Sequence, residues 1–288
     1  MLMRRLPMAG PACRAIPIAL ACALAALPAR AADIQGHAIT YGITVEKPPP
    51  DTWVDAQMSV TLTRTCDSLS YSSALIYGIE RNARGTRAPD QPLSSKADTY
   101  QERLKFTQKL DGTALQYEGS FQVNGRGEDA RGTVTMPADG AGTLDVKSDR
   151  VPRKVVLPAG TMLPLTLRGK LIDALAGADP DKPRGNVDVR TIELGRFYTA
   201  TDVKIGPAPA LPPLKAGKAD VPRLRSPLLQ GRGWASKQTS KALSDWMEST
   251  FELYENGVIP RFTFKREGIV WRADAKELSA FTAPKCGG

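Results

Sequence analysis

Leu115-Gln116-Tyr117-Glu118-Gly119-Ser120-Phe121-Gln122-Val123 reads as one strand with two unlike faces. Leu115, Tyr117, Phe121 and Val123 fall on one side, and Gln116, Glu118, Ser120 and Gln122 on the other. Alternation with period two rests one face on a core and leaves the other in water, as antiparallel sheets allow. The same period runs through Met58, Val60 and Leu62, and through Leu69, Tyr71, Leu75, Tyr77 and Ile79. Further strands are predicted around 37–46, 98–110, 129–137, 141–148, 152–157, 187–206, 246–255, 259–266 and 269–278. Asp111-Gly112, Asn124-Gly125 and Asn256-Gly257 stand between them, dipeptides that accept the positive φ of tight hairpins.

One segment breaks this pattern. After Pro158-Ala159-Gly160-Thr161, Leu163, Leu167, Leu171 and Leu175 recur at spacing four, with Arg168, Lys170 and Asp173 elsewhere. The spacing predicts one inserted amphipathic helix around 162–177, stopped near Gly177 and Pro180. Its thinly charged polar face does not suit a membrane surface, so Leu163, Leu167 and Leu171 read as the lining or plug of the sheet.

The 288 residues are 42% hydrophobic and 24% charged, which excludes collagen-like and wholly disordered classes. Residues 1–31 read as a secretory signal peptide: Arg4-Arg5, an apolar run from Ala15 to Leu27, then Ala29-Arg30-Ala31. Removing them takes away four arginines and no acids, lowering the formal charge from +9 to +5. Leu20-Ala21-Cys22 loosely resembles a lipobox, so lipidation at Cys22 is the alternative. No later stretch is apolar enough for a helical membrane span, and the expected product is an exported protein of one β domain, 32–288.

In that product only Cys66 and Cys286 remain. Two cysteines in an oxidising compartment read as a disulfide, the alternative being two buried free thiols. Pairing across so long a loop is worth at most about 5 kcal/mol in the chain-entropy description. A metal site lacks ligands, since His37 is the one histidine, and no cofactor motif is present. Residues 207–233 form a Pro-rich stretch predicted as a surface loop or spacer. It carries Lys215, Lys218, Arg223, Arg225 and Arg232 against Asp220, which reads either as a solvated run or as a contact surface for anionic lipid or polysaccharide.

The catalytic inventory is poor. No G-x-S-x-G, C-x-x-C, P-loop or G-x-G-x-x-G occurs, and His37 reads as a strand-end histidine held by hydrogen bonds. Glu252 and Glu255, three apart on a predicted strand, would face opposite sides, so a glycosidase pair would have to be assembled by the fold. No catalytic residue is therefore assigned.

Several stretches together resemble the EipB family of periplasmic cell-envelope-integrity proteins of Gram-negative bacteria, long known as a domain of unknown function. They are His37-Ala38-Ile39-Thr40-Tyr41, Cys66-Asp67, Leu157-Pro158-Ala159-Gly160-Thr161-Met162-Leu163-Pro164, Phe251-Glu252-Leu253-Tyr254-Glu255-Asn256-Gly257-Val258, and Cys286. The resemblance implies a bent antiparallel sheet forming a spiral or open barrel, cup-shaped, with Cys66 and Cys286 bridged. It implies a role in envelope maintenance and transfers no catalytic residue. The chain departs from the family's pattern around 207–227 and in an extra 82–97 loop with Arg84, Arg87 and Lys96. The resulting expectation is a non-enzymatic periplasmic protein that binds or scaffolds an envelope component or periplasmic protein, without nucleic acid. A carrier of a lipid or lipidated protein in a half-open cavity is the alternative, and a glycan or peptide hydrolase the third.

Overall fold

The computed structural model describes residues 34–46, 49–81, 92–137, 140–148, 153–176, 186–194, 199–212, 215–216, 219–220, 224–240, 248–266 and 269–286. The expected signal segment with Cys22, most of the 82–97 loop, Lys218 and Arg223 lie outside them.

The first half of the chain is a meander. It runs through β1 (His37–Val45), β2 (Thr52–Arg64), β3 (Ser68–Arg81), β4 (Asp98–Lys109), β5 (Ala114–Val123), β6 (Arg126–Thr135), β7 (Gly142–Ser148) and β8 (Arg153–Leu157). Each strand pairs antiparallel with the next. Asn124 and Gly125 both have positive φ, +52° and +73°, the geometry of a tight two-residue hairpin between β5 and β6. The alternation read from the sequence sets the faces, since Leu115 and Tyr117 are buried and Gln116 and Glu118 exposed.

After β8 come β9 (Thr161–Met162), helix α1 (Pro164–Ala176), β10 (Val187–Glu193) and β11 (Thr199–Pro207). A short hairpin, β12 (Lys215–Ala216) and β13 (Ala219–Asp220), stands apart from the main sheet. Then follow β14 (Gly233–Ser240), β15 (Glu248–Tyr254), β16 (Arg261–Arg266) and β17 (Ile269–Ala280). The last strand returns to the first: β17 pairs antiparallel with β1 from His37–Ala280 to Val45–Trp271. That seam joins the halves into one 15-stranded sheet, ordered β8-β7-β6-β5-β4-β3-β2-β1-β17-β16-β15-β14-β11-β10-β9.

Twisted sheets beyond about 10 strands curl or split. This one curls until its edges come near each other. The edge strands β8 and β9 are consecutive in the chain, and the three residues between them can span only about 14 Å. The result is a nearly closed, barrel-like sheet with one helix packed against it.

The bridge forms. Cys66, in the turn between β2 and β3, is bonded to Cys286 with Cα atoms 5.5 Å apart. It ties the C-terminal tail to the strands beside the β1–β17 seam, where the Phe281 N–H also donates to the Gly36 carbonyl at 2.8 Å.

Two expectations need correction. The segment 187–206 is two strands, since Glu193 pairs with Thr199 across a reversal of the chain. β14 is a strand that the periodicity does not predict. Most described residues of the Pro-rich stretch are exposed, but it is anchored to the sheet at a few points: the Ala208 N–H donates to the Ala235 carbonyl, and Leu211 and Leu228 are buried. Its carbonyls at Leu211 and Pro212 accept from Arg261 and Arg272, at 3.2 and 2.5 Å. A buried charged cluster, Glu252–Arg261–Asp274–Arg272, lies under this cover on the outer face of β15–β17.

Candidate functional site

Inward-facing residues of the sheet and one side of α1 enclose a cavity of about 690 Å³. Met58, Val60, Leu75, Leu104, Phe106, Phe121, Phe251 and Phe262 supply much of its apolar wall. It approaches solvent near the β5–β6 turn, where Arg126 and Gly127 line it and are exposed. A volume in this range suits a small-molecule site.

Helix α1 is fixed at its first turn. Pro164 stands at its first position, where the missing N–H would have no helical partner. The buried Gln108 of β4 accepts from the Leu165 N–H at 3.0 Å and donates to Thr166 Oγ1 at 2.9 Å, a cap from another strand. Leu163, Leu165, Leu167, Leu171 and Ile172 are buried in the main apolar cluster. Of the expected plug residues, Leu167 and Leu171 line the cavity, whereas Leu163 packs in the core beside it. The helix therefore fills part of the cup and leaves the rest open.

The leucine spacing puts Arg168 on the polar side of this helix. In the fold it lines the cavity instead, beside His37, Tyr41 and Tyr71. The signal is in its spacing, since Arg168 lies three residues after Leu165 and four before Ile172, both buried. The side chain is enclosed by protein yet keeps some surface toward the cavity. Desolvation holds its pKa below the ordinary arginine value, opposed by Tyr71 and Tyr41. Tyr41 donates to the Ile259 carbonyl at 2.7 Å, and its burial pushes the phenol well above the usual range.

His37 is 1% exposed and its Nδ1 lies 2.7 Å from the Gln35 carbonyl, so Nδ1 carries the proton and donates. Burial lowers its pKa to about 4, against the raising effect of the Gln35 bond, and Arg168 lowers it further. The sign is that of a base more easily protonated when unfolded. Stability is full above pH 6.5 and is lost as pH falls from 6.5 toward 4. The loss attributable to His37 is about 3 kcal/mol at 1.36 kcal/mol per pH unit. Urea denaturation at pH 7 and pH 4.5 checks it: wild type should lose stability that His37→Gln does not, and equal pH slopes would refute the assignment.

The concave face also carries two carboxylates, Glu102 of β4 and Glu128 of β6. They share one register row with Phe121 of β5 between them, so their backbones are about 10 Å apart. Ser148 donates to Glu128. Glu252, which the sequence sets aside as half of a carboxylate pair, is on the outer face at Arg261. Of the basic set, Arg225 and Arg232 are exposed, and Lys215 pairs in register with Asp220 in the β12–β13 hairpin. Among the described residues, no group of three or more His, Cys, Asp or Glu could hold a metal ion, and no helix is long and apolar enough to cross a membrane.

No protein-family model matches this chain, and no curated protein matches its sequence. A solved structure does match in shape: a beta-barrel-like protein of the domain of unknown function DUF1849 from Brucella abortus. The TM-score is 0.67 over 87% of this chain and 100% of that one, at 14% identity. The likeness is one of fold. It agrees with the nearly closed sheet and single helix, and that protein's own function is unknown by its description.

Proposed function

We propose that this is a non-enzymatic periplasmic protein that serves the cell envelope by holding the apolar chain of an envelope amphiphile in its cup. The observation that carries the reading is the cavity of about 690 Å³, walled mainly by aliphatic and aromatic side chains and only partly filled by α1. A scaffold needs no such space, so the carrier reading accounts for more than scaffolding alone. The export-type N-terminal segment and the resemblance to envelope-integrity proteins support the compartment.

The test is displacement of a fluorescent fatty acid by palmitic acid, with Ser73→Trp as the blocked variant. Ser73 lines the cavity, and an indole there would occupy the chain's place. Wild type should bind, and Ser73→Trp should bind at least tenfold more weakly with an unchanged circular dichroism spectrum. Failure of wild type to bind, or equal binding by the folded variant, would overturn the reading.

Hydrolysis has one observation in its favour, the shared face of Glu102 and Glu128. The Phe121 side chain rises from the strand between them, where a glycosidase would need room for sugar and water. Turnover of peptidoglycan fragments that disappears in Glu102→Gln or Glu128→Gln would establish this second reading instead.

A further inference from the structure

We propose that the cup selects amphiphiles with an acidic head group, carboxylate or phosphate, and that the Arg168 guanidinium is the counter-ion. This rests on the carrier reading above and adds the chemistry of the ligand's polar end.

Arginine stays charged in proteins, and a charge taken out of water requires a partner. The buried arginines under the cover segment have theirs. Arg261 Nε donates to Asp274 Oδ1 at 2.5 Å, and Arg272 Nε donates to Asp274 Oδ2 at 2.8 Å. Arg168 makes no hydrogen bond or ion pair among the described residues, and the groups that act on it electrostatically are tyrosines. It nevertheless faces a space large enough to receive a ligand.

The surroundings favour an anion at that point. His37 beside it is neutral at pH 7, so it contributes neither a competing cation nor a carboxylate. Tyr71 lines the cavity and its hydroxyl makes no hydrogen bond among the described residues, which leaves it as a second donor. Tyr41 has spent its proton on the Ile259 carbonyl. Glu102 and Glu128 line the same cavity but do not pair with Arg168. Arg103 and Arg126 also line the cavity, beside these carboxylates on β4 and β6, so the cations at that end already have acids near them, whereas Arg168 does not. The apolar side chains between accept the ligand's hydrocarbon.

The experiment compares palmitic acid, hexadecyl phosphate, neutral hexadecanol and inorganic phosphate as displacers of a neutral apolar fluorophore at pH 7.5. A charge-assisted contact predicts that at least one long-chain anion binds about 10–100-fold more tightly than hexadecanol. The two anions distinguish carboxylate from phosphate, and inorganic phosphate should displace nothing. Arg168→Met should bring the preferred anion down to the level of hexadecanol while hexadecanol itself is unchanged. Arg168→Lys should retain part of the preference, and Tyr71→Phe should reduce it severalfold. Because Tyr71→Phe and Arg168→Lys keep size and charge, they preserve the test if Arg168→Met does not fold.

If hexadecanol binds as tightly as both anions, the head-group proposal is wrong and the carrier reading stands. The head-group proposal fails equally if the folded Arg168 variants keep the preference. Displacement by inorganic phosphate alone would mean a free-anion site and overturn the proposal. Binding of none of the four would overturn both readings.

Discussion

Asp274→Ala is expected to lower the free energy of unfolding by about 3–5 kcal/mol, because it leaves two buried guanidinium groups without their shared carboxylate. Asp274 receives Arg261 Nε at 2.5 Å, Arg272 Nε at 2.8 Å and Arg272 Nη2 at 3.1 Å. Arg261 and Arg272 are 7% and 4% exposed, so water cannot replace the lost partner. Glu252 at 3.6 Å from Arg261 then has to balance two positive charges alone. Those arginines also hold the cover segment through the carbonyls of Leu211 and Pro212, so the variant should expose residues 207–212 to protease. Urea denaturation and limited proteolysis read the two effects. A stability change under about 1 kcal/mol would show that solvent reaches the cluster after all.

Opening the disulfide is the second large effect. The bond joins residues 220 apart, and the chain-entropy description gives about 5 kcal/mol as its upper value. Its position suggests where the loss would appear. The bond sits beside the β1–β17 seam, the pairing that connects the two halves of the sheet. Cys66→Ser, Cys286→Ser and the reduced wild type should each melt several degrees lower, with early loss of amide protection in β17. Because both cysteines are exposed, reduction should proceed without prior unfolding. A reduced sample that melts with the oxidised one would refute the claim that the clasp stabilises the seam.

Much of the fold is legible in the residues because period-two alternation is a local property. Each strand of the first half shows its buried face directly, as Leu115 and Tyr117 do against Gln116 and Glu118. β14 escapes such a reading for a physical reason. Its inward residues after Trp234 are Ser236, Gln238 and Ser240, and the last two line the cavity, so the strand lacks an apolar period. Where the cavity wall is polar, as it is here, the alternation that marks a strand fades. The Pro-rich stretch shows a different limit. Its composition shows that it cannot continue a ladder, but not that Arg261 and Arg272 wait beneath it for its carbonyls.

The candidate site is harder to see. The leucine stripe places the helix against the sheet, and Leu167 and Leu171 do line the cup. Arg168 looks like one more solvent-side charge, because helical spacing fixes which residues share a flank but not what that flank meets. By itself the sequence determined most of the strands, the hairpin turns and the single amphipathic helix, since each follows from neighbours a few residues apart. Tertiary structure alone decided that β17 returns to β1, that the sheet's edges come within three residues of each other, and that the helix leaves a cavity whose wall holds an arginine unpaired among the described residues. Those are sums over contacts between distant segments, and no local pattern encodes how far a curling sheet closes or how much of its interior one helix fills.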